Sequence, residues 1–436
     1  MNGYRRVLRY LWEEPLSKRG LGSFAMALIG AGLAFRPEGP HGLQDQLIDR
    51  LLSSLPYPEA EFDIENPPFP SLRRTPWTAT RHRMDLLCFH NAAVDGEPLE
   101  IFGRIWTMPP PPRQPPRGWL GAIADWNPRS LYPRSPAVEK LLSSEISPGD
   151  YDVVWDAGAS MFPHLPPSWD HVPVVADLVD DMVLTFWRAA QSESVWLKKL
   201  RILKYLTVNL LFERYCMRRT AHCVVVSEDD AAVFRSVSNV PVTVVQNGVD
   251  VDFFNSGSVG TVSGRLAFEG AMAFPPNQQA AHFLVEEIMP LIWARRPDAS
   301  LTLVGRDPPA DIVALANDRV FVTGAVNDIR PYVQEAEIFV CPLQSGAGIK
   351  NKLLQAWAMG KAVVATRLSV GGLGAKDGEN LLIRDSPQAI AEGVLQLLEN
   401  DQLRILLGQG GRTNVENMFT WERQTDLFEQ LLLATS

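Results

Sequence analysis

Cysteine is scarce in this chain. The 436 residues contain four, Cys88, Cys216, Cys223 and Cys341, and no two share a metal-ligand spacing. Cys88, Cys223 and Cys341 each fall in an apolar run that reads as a buried strand. All four read as free thiols in a reducing, cytoplasmic compartment, with disulfides as the alternative. Long apolar runs are also missing. The longest, residues 22–35, is too short to cross a bilayer and contains three glycines, so it reads as a buried helix against a sheet. Residues 1–12 carry arginines but no apolar core of signal length. Positive charge is not in excess: 41 Lys and Arg against 50 Asp and Glu leave a net charge of -9, which argues against nucleic acid as a partner. Neither half places Gly-x-Gly-x-x-Gly between a strand and a helix with an acid about 20 residues on, which argues against a dinucleotide-dependent oxidoreductase.

What is present is an ordinary globular composition over a length that suits two domains better than one. In the second half, short apolar runs alternate with helical stretches. Residues 265–270, 301–305, 320–324, 338–341, 363–366 and 381–383 read as strands, with helical patterns at 279–295 and 352–359 between them. Alternation of this kind predicts a parallel, doubly wound α/β sheet, in which ligands bind beyond the carboxyl ends of the strands. In the first half, residues 6–12, 84–89, 151–155, 172–179 and 223–226 read as strands. Residues 108–117 are proline-rich and read as extended. Residues 104–150 carry few regular signals and stay unassigned.

The most informative stretch is 344–366. A strand is followed by Ser345-Gly346-Ala347-Gly348-Ile349-Lys350-Asn351-Lys352, a helix starting near Lys352, and a second strand. Small residues let the loop backbone approach a ligand closely. The helix start offers free N–H groups and the positive end of its dipole. Lys350 and Lys352 add full charges at the same place. The combination suits a diphosphate, and Gln355, one turn into the helix, could reach a sugar hydroxyl. The bland alternative is a loop that binds nothing.

Gln355-Ala356-Trp357-Ala358-Met359-Gly360-Lys361-Ala362-Val363-Val364-Ala365-Thr366 resembles the signature of the glycosyltransferase group 1 family, also called glycosyltransferase family 4. Gly270-Ala271-Met272-Ala273-Phe274-Pro275-Pro276-Asn277, the Gln246-Asn247-Gly248-Val249-Asp250 turn and Phe419-Thr420-Trp421 match further family segments. The resemblance implies the GT-B fold: two Rossmann-like domains with parallel sheets facing across a cleft. The final helix would cross back to the N-terminal domain. The domains are expected at 1–243, joined by 418–436, and at 244–417. The implied activity is transfer of a sugar from a nucleotide diphosphate sugar to a hydroxyl acceptor on a polysaccharide, glycolipid or small-molecule precursor. It would proceed with retention, with no metal and with no cofactor beyond the nucleotide sugar as co-substrate.

The resemblance also implies site roles. Gly348, Ile349, Lys350, Asn351, Lys352, Asn277 and, in the first loop of the chain, Gly22 would bind the donor diphosphate and sugar. Gln355 would bind the ribose and Val326 would lie by the base. Asp156 and Asp180, at strand ends of the first domain, would face the acceptor. Two family carboxylate places fall on Ala347 and Gln355, so neither acid is present. The family's Arg and Lys places near the first strand of the second domain fall on Ala271 and Asn277, and Lys350 and Lys352 are expected to supply that charge instead. Plainer readings stand beside these: Asn277 as a helix N-cap, Asp328 as part of a capped helix, the strand-end acids as helix caps, Ser227 as an N-cap and His164 as a surface histidine. No side chain stands out as a general base.

Residues 196–219 form a long helical pattern with Lys198, Lys199, Arg201 and Lys204 near its start and Leu200, Leu203, Leu210 and Leu211 along it. A basic amphipathic helix can bind an anionic membrane surface. The commoner meaning is a core-packed helix with a solvated basic face. A GT-B protein that binds a nucleotide sugar or glycan without turning it over is the alternative function, and the two missing carboxylates favour it.

Overall fold

The computed structural model describes residues 6–11, 82–89, 102–108, 128, 131, 134–159, 162–192, 195–257, 259–346 and 348–435. Gly22, the 22–35 segment and the proline-rich stretch beyond Met108 lie outside them. The chain divides into two units, one of residues up to Val245 together with Phe428–Ser436, the other of Gln246–Leu427.

The first unit contains strands β1 (Arg6–Leu11), β2 (Arg83–Phe89), β3 (Phe102–Met108), β4 (Val153–Ala157), β5 (Val174–Val179), β6 (His222–Val225) and β7 (Val242–Val244). They pair in the order β3-β2-β1-β4-β5-β6-β7, every pair parallel. A parallel sheet is covered on both faces, so its strands read as unbroken apolar runs; β4 is buried at every residue. Successive residues serve opposite faces. Leu87, Phe89, Val154, Ala176 and Cys223 pack into one core with Val138, Leu141 and Leu142 of helix α1 (Pro136–Ser144). Met84, Val153, Trp155, Val175 and Val224 line the other face. The run 102–108 escapes sequence reading because it is an edge strand, alternating half-buried and exposed around Gly103 and Arg104.

Helices α2 (Met182–Ser192), α3 (Trp196–Leu211) and α4 (Glu228–Val237) follow β5 and β6. Ser227 caps α4, its Oγ accepting from the Asp230 N–H at 3.2 Å. Helix α3 continues through a wider turn at Phe212–Cys216 and a tight one at Met217–Arg219. Its polarity departs from the commoner expectation only in part: Lys198 and Lys199 are exposed, as expected. Leu200 and Leu203 are exposed, while Lys204 is only 3% exposed. The helix turns Tyr205 toward Phe186 of α2, the two rings stacked at 5.6 Å, while Leu210 and Leu211 are half-buried.

The second unit contains β8 (Arg265–Glu269), β9 (Ser300–Val304), β10 (Val320–Val322), β11 (Ile338–Cys341), β12 (Ala362–Ala365) and β13 (Leu382–Ile383), ordered β10-β9-β8-β11-β12-β13 and again all parallel. Helices α5 (Pro275–His282), α6 (Asn351–Ala358), α7 (Pro387–Glu399) and α8 (Asp401–Met418) are its main helices, and one continuous apolar core runs through it. The Asn247-Gly248 pair does not use a positive φ at glycine. Gly248 is needed for close approach instead: a Cβ there would lie 2.7 Å from the Trp421 backbone. The Val249 N–H donates to Phe419 O at 2.7 Å in the same place.

The last helix, α9 (Trp421–Thr435), starts in the second unit and ends in the first. Phe428 and Leu432 complete the second face of the first sheet, with the Phe428 ring 4.5 Å from that of Trp155. His82 Nε2 meets Glu429 Oε1 at 2.7 Å beside it. Phe428→Ala is therefore expected to destabilise the first unit by about 3–5 kcal/mol, as for other large-to-small core changes. Urea unfolding followed by tryptophan fluorescence measures this, and a loss below about 1 kcal/mol would show that α9 does not close that core.

Candidate functional site

In the second sheet the chain order reverses between β8 and β11, its topological switch point. The connections from the carboxyl ends of these two neighbours leave in opposite directions and open a crevice between them. The segment after β8 carries Gly270 and Asn277. The loop after β11 carries Gly346, Gly348, Lys350 and the start of α6. The fold thus brings together residues far apart in sequence at the place where an open α/β sheet binds ligands.

The loop after β11 has φ of +114° at Gly346 and +68° at Gly348, conformations that glycine adopts without steric cost. Lys350 is the N-cap residue of α6, and its Nζ donates to Gly348 O at 2.8 Å. Asn351 is exposed, and its Oδ1 accepts from Asn247 Nδ2 at 2.9 Å. Lys352 Nζ donates to Glu269 O at 2.5 Å and to Asn277 Oδ1 at 2.8 Å, and lies 4.4 Å from the Phe268 ring centroid. Gln355 lies half-buried one turn further along α6. Ile349 departs from the expected role, because its side chain belongs to the core and only its backbone remains for a ligand. Asn277 is not an N-cap either: Phe274 holds that position, and the Asn277 side chain turns to Lys352 and to Ala271 O.

Electrostatically the crevice joins cations to buried groups. Burial holds the Glu269 carboxyl above the usual carboxylate range, with the charge of Lys352 opposing. Burial likewise pushes the Cys341 thiol up, opposed by Lys352, by a hydrogen bond with Ser369 and by Lys350. Val326 is half-buried in the loop after β10. Asp328 belongs to local structure, since its Oδ1 accepts the Arg330 N–H at 2.9 Å at the start of the short helix Arg330–Glu335.

In the first unit the strand-end acids divide. Asp156 is fully buried and its Oδ2 accepts the Phe162 N–H at 2.9 Å. It pins the segment after β4 instead of facing an acceptor, which corrects the sequence expectation. Asp180 is half-buried. Its neighbour Asp181 takes the capping role, accepting the Leu184 N–H of α2 at 2.7 Å. His164 is buried beside Phe89, not a surface histidine.

Residues 263–400 match the family model described as Glycosyl transferases group 1. This segment belongs to the group 1 glycosyl transferases. The chain is 31% identical over 166 residues to the lipopolysaccharide core biosynthesis glycosyltransferase LpsE of Rhizobium meliloti, covering 36% of this chain and 47% of that protein. It is 29% identical over 177 residues to the phosphatidyl-myo-inositol mannosyltransferase of Mycobacterium tuberculosis, covering 37% and 46%. The matched stretches thus span less than half of these curated relatives. Among solved structures, HepE of Anabaena in complex with UDP and glucose superposes with a TM-score of 0.60 at 13% identity over 99% of this chain and 100% of that one. Sucrose-phosphate synthase of Thermosynechococcus elongatus gives 0.60 at 16% identity over the same shares. At these identities the likeness concerns the fold, which is GT-B.

A group 1 glycosyl transferase signature points to the crevice, yet it is silent on the buried acids of the first unit. Glu213, 4% exposed, has no hydrogen-bond partner for Oε2. Burial first, then the charge of Asp181, pushes its carboxyl up to about 9. Burial also raises Asp181, to about 6, against the pull of the Leu184 amide. Sequence reasoning misses Glu213 because Arg214, Arg218 and Arg219 make its surroundings read as a solvated helix end. A carboxyl raised in the folded state keeps its proton where the unfolded chain has lost it. Its contribution is full below the unfolded value and is lost as pH rises toward about 9. Wild-type stability should fall between pH 5 and pH 9, by up to about 1.4 kcal/mol per pH unit for one proton. Glu213→Gln should flatten that slope and raise the urea midpoint at pH 8. Parallel slopes in the two proteins would refute the assignment.

Proposed function

We propose that this chain is a glycosyltransferase that moves a sugar from a nucleotide diphosphate sugar to a hydroxyl acceptor, with retention and without a metal ion. The observation that carries the reading is the convergence of Lys350, Lys352 and the N-terminus of α6 at the switch point between β8 and β11. The hard step is departure of the nucleoside diphosphate. Its developing charge would meet two ammonium groups and the positive end of the α6 dipole already in place, the kind of preorganised electrostatics that lowers a barrier most. In this reading Lys350 and Lys352 bind the diphosphate, Gly346 and Gly348 let it approach the backbone, and Gln355 meets the ribose. The base lies by Val326, and Asp180 of the first unit serves acceptor binding.

UDP is the first probe, since HepE was solved with it; GDP is the second. Lys350→Ala and Lys352→Ala should each weaken binding by about 1.5–3 kcal/mol, the range for a charge-assisted hydrogen bond, as read by calorimetry. Unchanged affinity in both variants refutes the assignment. Incubation with UDP- and GDP-sugars should release nucleoside diphosphate, and the product anomer, read by NMR, should match the donor's. Binding without release or transfer would favour a non-catalytic nucleotide-sugar-binding protein, the reading that neutral Gln355 supports.

We further propose that the first unit touches an anionic membrane through α2 and α3. Trp196, Leu200 and Leu203, at i, i+4 and i+7, are 59%, 36% and 38% exposed, and Trp187 of α2 is 53% exposed. Lys198 and Lys199 are exposed beside them. Apolar insertion with a cationic fringe is how interfacial helices bind anionic lipid, and an acceptor of glycolipid type would be presented there. No helix among the described residues is long and apolar enough to cross a membrane. The protein should sediment with phosphatidylglycerol vesicles and not with phosphatidylcholine ones, and Trp196→Ser/Leu200→Ser should abolish this. Equal sedimentation with both vesicles, or none, would refute it.

A further inference from the structure

Asn277 is 7% exposed, and both ends of its amide are committed within the protein. Nδ2 donates to Ala271 O at 2.9 Å, which fixes the amide's orientation, and Oδ1 accepts from Lys352 Nζ at 2.8 Å. The same ammonium donates to Glu269 O at 2.5 Å. An ammonium carries three N–H groups, so two are held by the carboxyl end of β8 and by α5, and one is left for a ligand. The meeting depends on Gly270, whose φ is +155°. A Cβ at that position would stand 2.5 Å from Lys352 Nζ and 2.6 Å from Asn277 Nδ2. Three segments far apart in sequence therefore meet at one cation: the end of β8, the first turn of α5 and the first turn of α6.

We infer that Asn277 is a positioning residue for Lys352: it holds the ammonium at the mouth of the crevice between β8 and β11 and does not itself bind the diphosphate. An acceptor without full charge suits the task. It fixes the lysine while leaving the positive charge uncompensated, whereas a carboxylate at the same place would neutralise it. The glutamate that is near, Glu269, contributes its backbone carbonyl to the ammonium, and its side chain makes no ion pair with Lys352 within 4.0 Å. This inference rests on the reading of Lys352 as a diphosphate ligand.

The test is a double-mutant cycle on UDP affinity, measured by calorimetry on the full chain for wild type, Lys352→Ala, Asn277→Ala and the double variant, with GDP as the second probe. Lys352→Ala should weaken binding at least about tenfold and Asn277→Ala about three- to tenfold. The double variant should be no weaker than Lys352→Ala within about twofold, because a residue that acts only through the lysine has nothing left to position. Asn277→Asp, isosteric with the native residue, should weaken UDP binding at least as much as Asn277→Ala, and serves alone if the alanine variant fails to fold. Additive losses would show direct contact between Asn277 and the diphosphate and overturn the inference. So would an Asn277→Ala or Asn277→Asp variant that binds like wild type. If wild type binds neither nucleotide, or Lys352→Ala binds as wild type does, the diphosphate reading itself falls.

Discussion

Every connection in a parallel sheet must travel back before the next strand can begin, and in both units the order of strands reverses once, between β1 and β4 and between β8 and β11. At that reversal two neighbouring strands send their chains away in opposite directions. The space left beyond their carboxyl ends is where loops of different origin can meet without competing for the same volume. In the second unit Glu269 and Gly270 stand at the end of one strand, and the glycine loop leading to Lys350 follows the other. The site is a consequence of strand order before it is a consequence of any particular side chain.

The chemistry placed there follows from what a half-buried cation can tolerate. A lysine ammonium taken partly out of water needs acceptors, and Lys352 finds them in a backbone carbonyl and a neutral amide. The arrangement keeps its charge available to a ligand. Gly270 supplies the room, and the Phe268 ring covers the lysine on one side. The first unit handles its buried charges differently. Asp156 and Asp181 are tied to backbone N–H groups, and burial together with the charge of Asp181 pushes the Glu213 carboxyl up to about 9. Lysines present charge in one unit; carboxyls are absorbed into local structure in the other.

Much of the fold was legible in the sequence because buried parallel strands leave a plain signature. The apolar run Ile338–Cys341 coincides with its strand to the residue, and most other apolar runs lie within two residues of the strand bounds. The strand Phe102–Met108 leaves no such run, since an edge strand buries only alternate residues and Gly103 and Arg104 interrupt it. Helix α3 was legible as a helix but not in its orientation. The same leucines and lysines fit a helix with either face inward, and the packing of the folded unit, the stacking of Tyr205 on Phe186 included, selects one.

At the site, residue order alone determined the glycine loop, the two lysines and the helix that follows them, because these lie within a few residues of one another and their chemistry is local. It equally determined the alternation of strands and helices, which hydrophobic periodicity imposes. Tertiary structure alone decided that Asn277 faces Lys352 across a gap of 75 residues, that Ile349 turns into the core, that Asp156 and His164 are enclosed, and that Phe428 closes a sheet whose strands begin far earlier in the chain. Hydrogen bonds and burial between distant segments depend on how two elements are rolled and spaced, and those quantities are set by the packing of the whole unit, which no local stretch of sequence contains.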